Sequence, residues 1–512
     1  MATGGERLPG SAVRSLGAGH NQAAALAIPL DAGPAFRLDV AVNRLAASRP
    51  DFSAREPVTP RQRTVFVMLL CAVLAVSIVA PSAGHGALLV LVTLPFTAIV
   101  AVRVVALGLV LTAREAAAVS VPSAEPEELP RYTLIVPLYR EGGVVPALVA
   151  ALSSLDYPRE KLEILFVTEE DDPDTRAALS VADASFMRVL IVPQGAPRTK
   201  PRALNYALTY ATGDMIAIFD AEDAPQPGQL KAAVQMFRTG GPEVACVQAR
   251  LNIYNPGTNF FTRQFTLEYA ALFDAILPAL DRLGFPLPLG GTSNHFRRGA
   301  LETAGAWDPY NVTEDADLGV RLARLGKRVR MISSTTWEEA PATFREWCGQ
   351  RTRWIKGWMQ TYLVHMRAPA ALWRELGPWG FTGFQIVFAG LVLSALLHPW
   401  FYAVAAYQWW SGQLFGAPAG GALALGWMLC VANICASYIA AMGLAAVCVA
   451  QRGGLGLIRS VLGVPVYWLM ISIAAYAALL ELILNPHHWS KTTHTGVGRD
   501  ALSLEASVRR NV

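Results

Sequence analysis

The chain has 512 residues, too long for one ordinary soluble domain and long enough for a catalytic domain plus a membrane part. Hydrophobic residues make up 53% against 16% charged, and mean hydropathy is +0.34, all on the membrane side of the usual balance. The net charge of +4 suits a protein held at an anionic leaflet and gives little support to nucleic-acid binding, and six cysteines without a C-x-x-C pair indicate neither a zinc site nor a disulfide framework.

Residues 1–60 are rich in Ala, Gly and Pro and too polar for a secretory signal. They read as a disordered cytosolic arm, with a short helix over Leu38–Ser48. Two apolar stretches follow, Thr64–Ala80 and Ala87–Leu111, each near the roughly 20 residues a spanning helix needs. Arg61 and Arg63 precede the first, Arg114 follows the second, and the loop between them has no Lys or Arg. Positive charge therefore places both outer ends in the cytosol, with residues 61–115 forming two transmembrane helices. Arg103, inside the second stretch, either faces a polar path or snorkels to the cytosolic surface.

Residues 130–375 change to an α/β pattern. The β-branched runs Tyr132–Pro137, Glu163–Val167, Arg188–Val192, Met215–Phe219 and Val244–Ala249 alternate with amphipathic helical segments, the rhythm of a largely parallel sheet. Ligands of such sheets gather at the carboxyl ends of strands, where Glu169–Asp172 and Asp220–Asp223 stand. After Pro378 the chain is apolar again over Phe381–Trp409, Ala422–Ala450 and Val461–Leu484, a block at 378–485 with a cationic tail at 486–512. Three simple crossings would leave that tail outside. Two arrangements return it to the cytosol: one region crosses twice, or Val461–Leu484 lies re-entrant or along the interface. Five or six spans result.

Three clusters carry chemistry. Asp220, Glu222 and Asp223 follow an apolar strand, where carboxylates can hold a divalent cation on the diphosphate of a nucleotide-sugar. A solvated acidic turn is the bland alternative. Thr313-Glu314-Asp315 offers a carboxylate to take the proton of a sugar hydroxyl, for which we choose Asp315, with Glu314 orienting the acceptor or tuning the site. Thr313 can at the same time cap a helix. Gln350, Arg353 and Trp354 stand at i, i+3 and i+4, one helical face presenting an amide, a guanidinium for diphosphate and an aromatic plate for a sugar ring. Trp347, Trp358 and Tyr362 make that helix interfacial as well.

With these clusters in hand, the chain from about Arg131 to His494 resembles the cellulose synthase-like, processive family 2 glycosyltransferases. The resemblance implies an α/β GT-A fold (a Rossmann-like nucleotide-diphospho-sugar transferase domain) inserted between transmembrane helices. Val136-Pro137-Leu138-Tyr139-Arg140-Glu141 looks like the family's P-x-Y-x-E start, which implies donor contacts from Pro137, Tyr139 and Glu141. Asp171 or Asp172 matches the acid that contacts the base. Lys200-Pro201-Arg202-Ala203-Leu204-Asn205 resembles K-x-x-A-L-N, with Lys200 near the nucleotide or diphosphate. Asp220 and Glu222 take the D-x-D positions, and the metal's second carboxylate is Glu222 or Asp223. Gly290-Gly291-Thr292-Ser293-Asn294 resembles the acceptor-side loop, so Gly291, Thr292, Ser293 and Trp354 are the implied acceptor contacts. Glu314-Asp315 matches T-E-D, whose aspartate is the family's base, and Gln350, Arg353 and Trp354 fill Q-x-x-R-W. Trp489-Ser490-Lys491-Thr492-Thr493-His494 looks like the W-x-K-T-x-H ending of many bacterial members and favours a cytosolic tail.

The resemblance implies an inverting, processive transferase in the plasma membrane with a cytosolic catalytic domain. Its cofactor would be Mg²⁺ or Mn²⁺, and its donor UDP-glucose ahead of GDP-mannose. The other expected partners are a growing polysaccharide, membrane lipid and accessory export proteins. The competing reading is a non-processive transferase that adds one sugar to a lipid-linked acceptor.

Overall fold

The computed structural model describes residues 29, 31–79, 81–112, 126–181, 185–412, 416, 421–489 and 491. Strand β1 (Tyr132–Leu138) is apolar because both its faces are covered: Leu134 and Val136 point into one buried layer and Ile135 into the other. It pairs in parallel with β2 (Leu162–Glu169), which pairs in parallel with β3 (Met187–Val192). On its other side β1 pairs in parallel with β4 (Met215–Ile218). The remaining strands are β5 (Ala224–Pro225), β6 (Val244–Ile253), β7 (Asn294–Arg297) and β8 (Arg328–Glu338), in the sheet order β3-β2-β1-β4-β7-β6-β8-β5. β7 runs antiparallel to both β4 and β6, so the sheet is mixed where a largely parallel one was expected. The reversal follows from the turn before β7, where Ser293 adopts φ 56° and Asn294 enters against Ile218.

Helix α1 (Pro34–Ser48) lies where a short helix was expected over Leu38–Ser48, and the described part of the arm is docked on the α/β domain rather than disordered. Leu45, 3% exposed, packs against Gly305, and the carbonyl of Ala41 accepts a bond from Asn205 Nδ2 at 2.9 Å. Ser53 donates to Asp308 at 3.1 Å. The apolar stripe of α1 is thus consumed by the α/β domain; residues 1–28 of the expected arm lie outside the described residues.

Then come α2 (Pro60–Val79), α3 (Pro81–Thr112), α4 (Lys200–Leu208), α5 (Phe260–Ala271), α6 (Glu314–Arg324) and α7 (Phe344–His365). Last are α8 (Leu391–Trp410), α9 (Gly421–Gln451) and α10 (Val464–Leu484). Among the described residues five helical stretches are long and apolar enough to cross a membrane: 60–79, 86–112, 369–410, 423–451 and 455–484.

α10 and the described chain after it both contact the α/β domain. Near its start the Tyr467 hydroxyl accepts from Trp347 Nε1 at 3.0 Å, and near its end Glu481 pairs with Lys356 at 2.7 Å. Trp347 and Lys356 both belong to α7, so α10 lies alongside α7 and both its ends meet that helix. The chain beyond it stays on the α/β domain: Gln360 donates to the Pro486 carbonyl at 2.9 Å and Lys356 to that of His488 at 2.8 Å.

Candidate active site

The site converges on Gly291, in the turn that leads into β7. A methyl group on Gly291 would lie 3.4 Å from Asp315 Oδ2, 3.8 Å from Lys200 Nζ and 3.9 Å from Asp220 Oδ2. Lys200, first residue of α4, donates to the Gly291 carbonyl at 2.8 Å and forms an ion pair with Asp220. Burial alone would lower its pKa, but Asp220, Glu314 and Asp315 raise it above the usual lysine range. The ammonium stays charged.

Asp220 and Glu222 stand just past the end of β4 and line one cavity with Lys200 and Asp315. Burial, then Asp220 and Glu141, push the Glu222 carboxyl well above its ordinary pKa. Crowded oxygen donors of this kind suit a hard divalent cation, and a Mg²⁺ shared with substrate phosphates needs only one or two protein carboxylates. Asp220 and Glu222 therefore fit Mg²⁺ or Mn²⁺. Asp223 differs from them: its Oδ2 accepts from the Asp220 amide at 2.6 Å and from the Thr292 hydroxyl, so it braces the turn. Among the described residues no cluster of three or more His, Cys, Asp or Glu is arranged for a metal.

The acceptor-side trio is also divided. Thr292 is spent on Asp223, and the Ser293 hydroxyl donates to Thr336 at 2.6 Å inside the sheet. Both are buried; Gly291 and Thr292 line the cavity and Ser293 does not.

At the other end Pro137, Tyr139 and Glu141 line the same cavity. The Tyr139 ring lies against the guanidinium groups of Arg198 at 4.7 Å and Arg140 at 5.0 Å and the Lys491 ammonium at 5.3 Å. Asp172 caps the helix at Pro173–Ala178, accepting from the Thr175 amide at 3.2 Å and from that of Arg140. Its oxygens are engaged by backbone. Asp171 pairs with Arg198, whose guanidinium lies beside Tyr139, and neither Asp171 nor Asp172 is among the residues that line the cavity.

Glu314 and Asp315 open α6. Thr313 precedes them, yet its side chain makes no cap bond; it presses instead on Gly357 of α7. The loop before α6 is clasped by α7: the Val312 amide donates to Gln360 at 3.1 Å and Asn311 to Thr361 at 3.0 Å. Burial, then Asp315, raise the Glu314 carboxyl to about 8, and burial raises Asp315.

Gln350, Arg353 and Trp354 line the cavity from α7, as their spacing predicts. Arg353 donates to the Val312 carbonyl at 3.2 Å and lies 4.5 Å from the Trp489 ring. The Gln350 Oε1 is buried and unpartnered among the described residues, an acceptor waiting for a donor. One face of Trp354 is covered by Arg351 at 4.6 Å. Sequence reasoning passed over Arg198, Arg351, Trp489, Lys491 and Gly357 as site residues. Trp489 and Lys491 were visible in the tail pattern but were used only to assign sidedness. Lys491 pairs with Glu141 at 3.2 Å, and Ser490, Thr492, Thr493 and His494 lie outside the described residues.

A mixed, Rossmann-like sheet whose strand ends gather carboxylates, a lysine and an arginine is the GT-A arrangement, here joined to apolar helices. Residues 130–357 match the family described as "Glycosyltransferase like family 2", so that segment is a family 2 glycosyltransferase domain. The chain is 28% identical over 239 residues to the probable glycosyltransferase YdaM of Bacillus subtilis (strain 168), covering 45% of this chain and 56% of that protein. It is 29% identical over 273 residues to the beta-monoglucosyldiacylglycerol synthase of Synechocystis sp. (strain ATCC 27184 / PCC 6803 / Kazusa), covering 52% and 55%. It is 30% identical over 243 residues to the probable glucomannan 4-beta-mannosyltransferase 1 of Arabidopsis thaliana, covering 45% and 43%. The chain spans about half the length of the curated relatives it matches.

Proposed function

We propose that this chain is a membrane-embedded, inverting glycosyltransferase that extends a β-linked polysaccharide from a nucleotide-sugar, with UDP-glucose the first donor to test. The observation that carries this reading is the meeting of Asp315, Lys200 and Asp220 around Gly291, in a cavity of about 650 Å³ that continues between the membrane helices. In the reaction Asp315 takes the proton of the acceptor hydroxyl as its oxygen attacks the anomeric carbon. The bond to the diphosphate breaks, and the nucleoside diphosphate leaves with the electron pair. Lys200 and Arg353 bring positive charge to the leaving group. A bound Mg²⁺ or Mn²⁺, held by Asp220 and Glu222, would supply Lewis-acid stabilisation of the same charge. Glu314, mostly protonated, can donate to an acceptor oxygen. The catalytic domain is placed in the cytosol, at the plasma membrane, because nucleotide-sugars are cytosolic and the flanking arginines favour that side.

A second reading, transfer of a single sugar to a lipid-linked acceptor, is favoured by the cavity's membrane half. Its walls are aliphatic, with Ile99, Val102, Leu391, Val392, Leu444 and Ile471. The name of the Synechocystis relative, a glycolipid synthase, points the same way.

The test is purified protein in nanodiscs with Mg²⁺ or Mn²⁺ and radiolabelled nucleotide-sugars, with Asp315→Asn as control. Long, enzyme-digestible polymer that disappears in the variant supports chain extension; a single-sugar lipid supports the second reading. Label transfer that persists in Asp315→Asn refutes the assigned base.

A further inference from the structure

The membrane end of the cavity contains a cation that the transfer chemistry does not use. Arg103 projects from α3 into the cavity wall together with His398 of α8 and Trp468 of α10. Its guanidinium lies 4.9 Å from the Trp468 ring. Its other neighbours are uncharged: His398 Nε2 is 2.8 Å from the Tyr438 hydroxyl, and Ser394 and Asn433 line a smaller cavity beside it. Among the described residues no carboxylate forms an ion pair with Arg103. A cation inside a spanning helix is costly to keep, and an intramembrane arginine without an acid calls for an anion supplied from elsewhere.

Its depth narrows the choice. One turn further along α3, Ala106 and Val110 already pack on Leu267, Ala270 and Ala271 of α5, so Arg103 lies toward the catalytic-domain side of the helix. It is about 6 Å past the middle of the apolar stretch 86–112 at 1.5 Å per residue, against about 15 Å for half a hydrocarbon core. A phosphate that meets it must therefore enter the cavity between the helices, below the headgroup level. The aliphatic walls offer acyl or isoprenoid chains a place and offer a sugar almost no hydrogen bonds. Trp468 is no sugar platform, since Arg103 lies against it and Tyr438 stacks on it at 4.9 Å.

We propose that Arg103 binds the phosphate of an anionic lipid whose chains occupy the aliphatic half of the cavity and whose polar end reaches toward Asp315. The proposal rests on the lipid-acceptor form of the transferase reading, and it makes the acceptor a phosphate-bearing lipid rather than a neutral one.

The experiment titrates the full chain, in dodecyl maltoside micelles, with phosphatidic acid carrying a pyrene-labelled acyl chain, read by energy transfer from tryptophan. Diacylglycerol with the same label and inorganic phosphate are the comparators. One charge-assisted contact predicts about tenfold tighter binding of phosphatidic acid than of diacylglycerol. Arg103→Gln should reduce phosphatidic acid to the diacylglycerol value, while Arg103→Lys stays within about threefold of the parent. Equal affinity for the two lipids in the parent protein overturns the proposal, as does unchanged binding in Arg103→Gln. Should Arg103→Gln fail to fold, the parent's lipid selectivity and the Arg103→Lys variant decide the matter. Displacement of the labelled lipid by inorganic phosphate at equal concentration overturns the lipid source and leaves a free-phosphate site. Binding of UDP-glucose and GDP-mannose, measured by calorimetry with Mg²⁺ or Mn²⁺, separates the two readings: no binding of either donor with lipid selectivity intact counts against the transferase and spares the lipid site.

Discussion

Gly357 lets α7 close on the catalytic loop, and Gly357→Ala should open it. A methyl group there would lie 2.2 Å from Thr313 Oγ1, 2.6 Å from its Cγ2 and 2.7 Å from its Cβ. Carbon atoms settle about 3.5–4.0 Å apart, so the helix or the loop must retreat by about 1 Å. The loop cannot yield alone, because Asn311, Val312 and Arg353 tie it to the same helix. A displacement of about 1 Å at a catalytic group costs about a hundredfold in rate, or about 2.7 kcal/mol of barrier. The overpacking itself should take about 1–3 kcal/mol from stability. The assay is donor turnover in nanodiscs together with thermal unfolding. We expect kcat to fall about a hundredfold and donor affinity to fall much less, since Tyr139, Lys200 and Asp220 lie off α7. Thr313→Ala on the same background removes two of the three crowded atoms and should recover part of the loss. A Gly357→Ala protein that keeps kcat within about twofold and melts at the parental temperature would falsify the idea that this clasp positions Asp315.

Glu314 makes stability depend on pH. Its folded pKa of about 8 exceeds the ordinary 4.5, so its contribution is complete below about 4.5 and is lost as pH rises through about 8. The melting temperature should decline over that window and decline less in Glu314→Gln; parallel curves for the two proteins would remove the assignment. Asp220→Asn should weaken metal-dependent donor binding about tenfold or more with little change in melting, whereas Asp223→Asn should cost about 1–3 kcal/mol of stability. If calorimetry and melting show the two variants behaving alike, the division between ligand and turn support is wrong. Leu45→Asp, placing a carboxylate at a 3% exposed site, should destabilise by about 3 kcal/mol and speed proteolysis between α1 and α2. Unchanged melting would mean that α1 is not part of the folded unit.

The strands that could be read in advance were those with a continuous apolar run. Tyr132–Leu138 announces itself because both faces are buried, and Val244–Ala249, the part of β6 read in advance, is its fully buried first part. β7 has the sequence Asn294-His295-Phe296-Arg297, and β8 mixes Ser and Thr with Val and Trp; their polar groups are satisfied only by tertiary partners, as when Ser293 meets Thr336. The site's acids were legible by type and not by direction. Asp220, Glu222 and Asp223 are equivalent on paper, and only the turn shows that one of them faces inward. Asp171 and Asp172 divide in the same way, because a helix start claims the second. The docked α1 was half-visible as a periodicity, but its partner at Gly305 lies some 260 positions away and has no sequence signal of its own.

The placement of α10 bears on how sidedness is inferred for chains of this kind. Counting apolar segments treats each as a toggle, so an odd total sends the two ends of a chain to opposite compartments. A segment that begins and ends on one partner helix is long and greasy enough to be counted, yet it leaves the parity unchanged. Were α10 such a segment, the five apolar stretches would act as four switches. Loop charges and hydrophobic lengths would then agree, with Lys491 on the face of the domain where it pairs with Glu141.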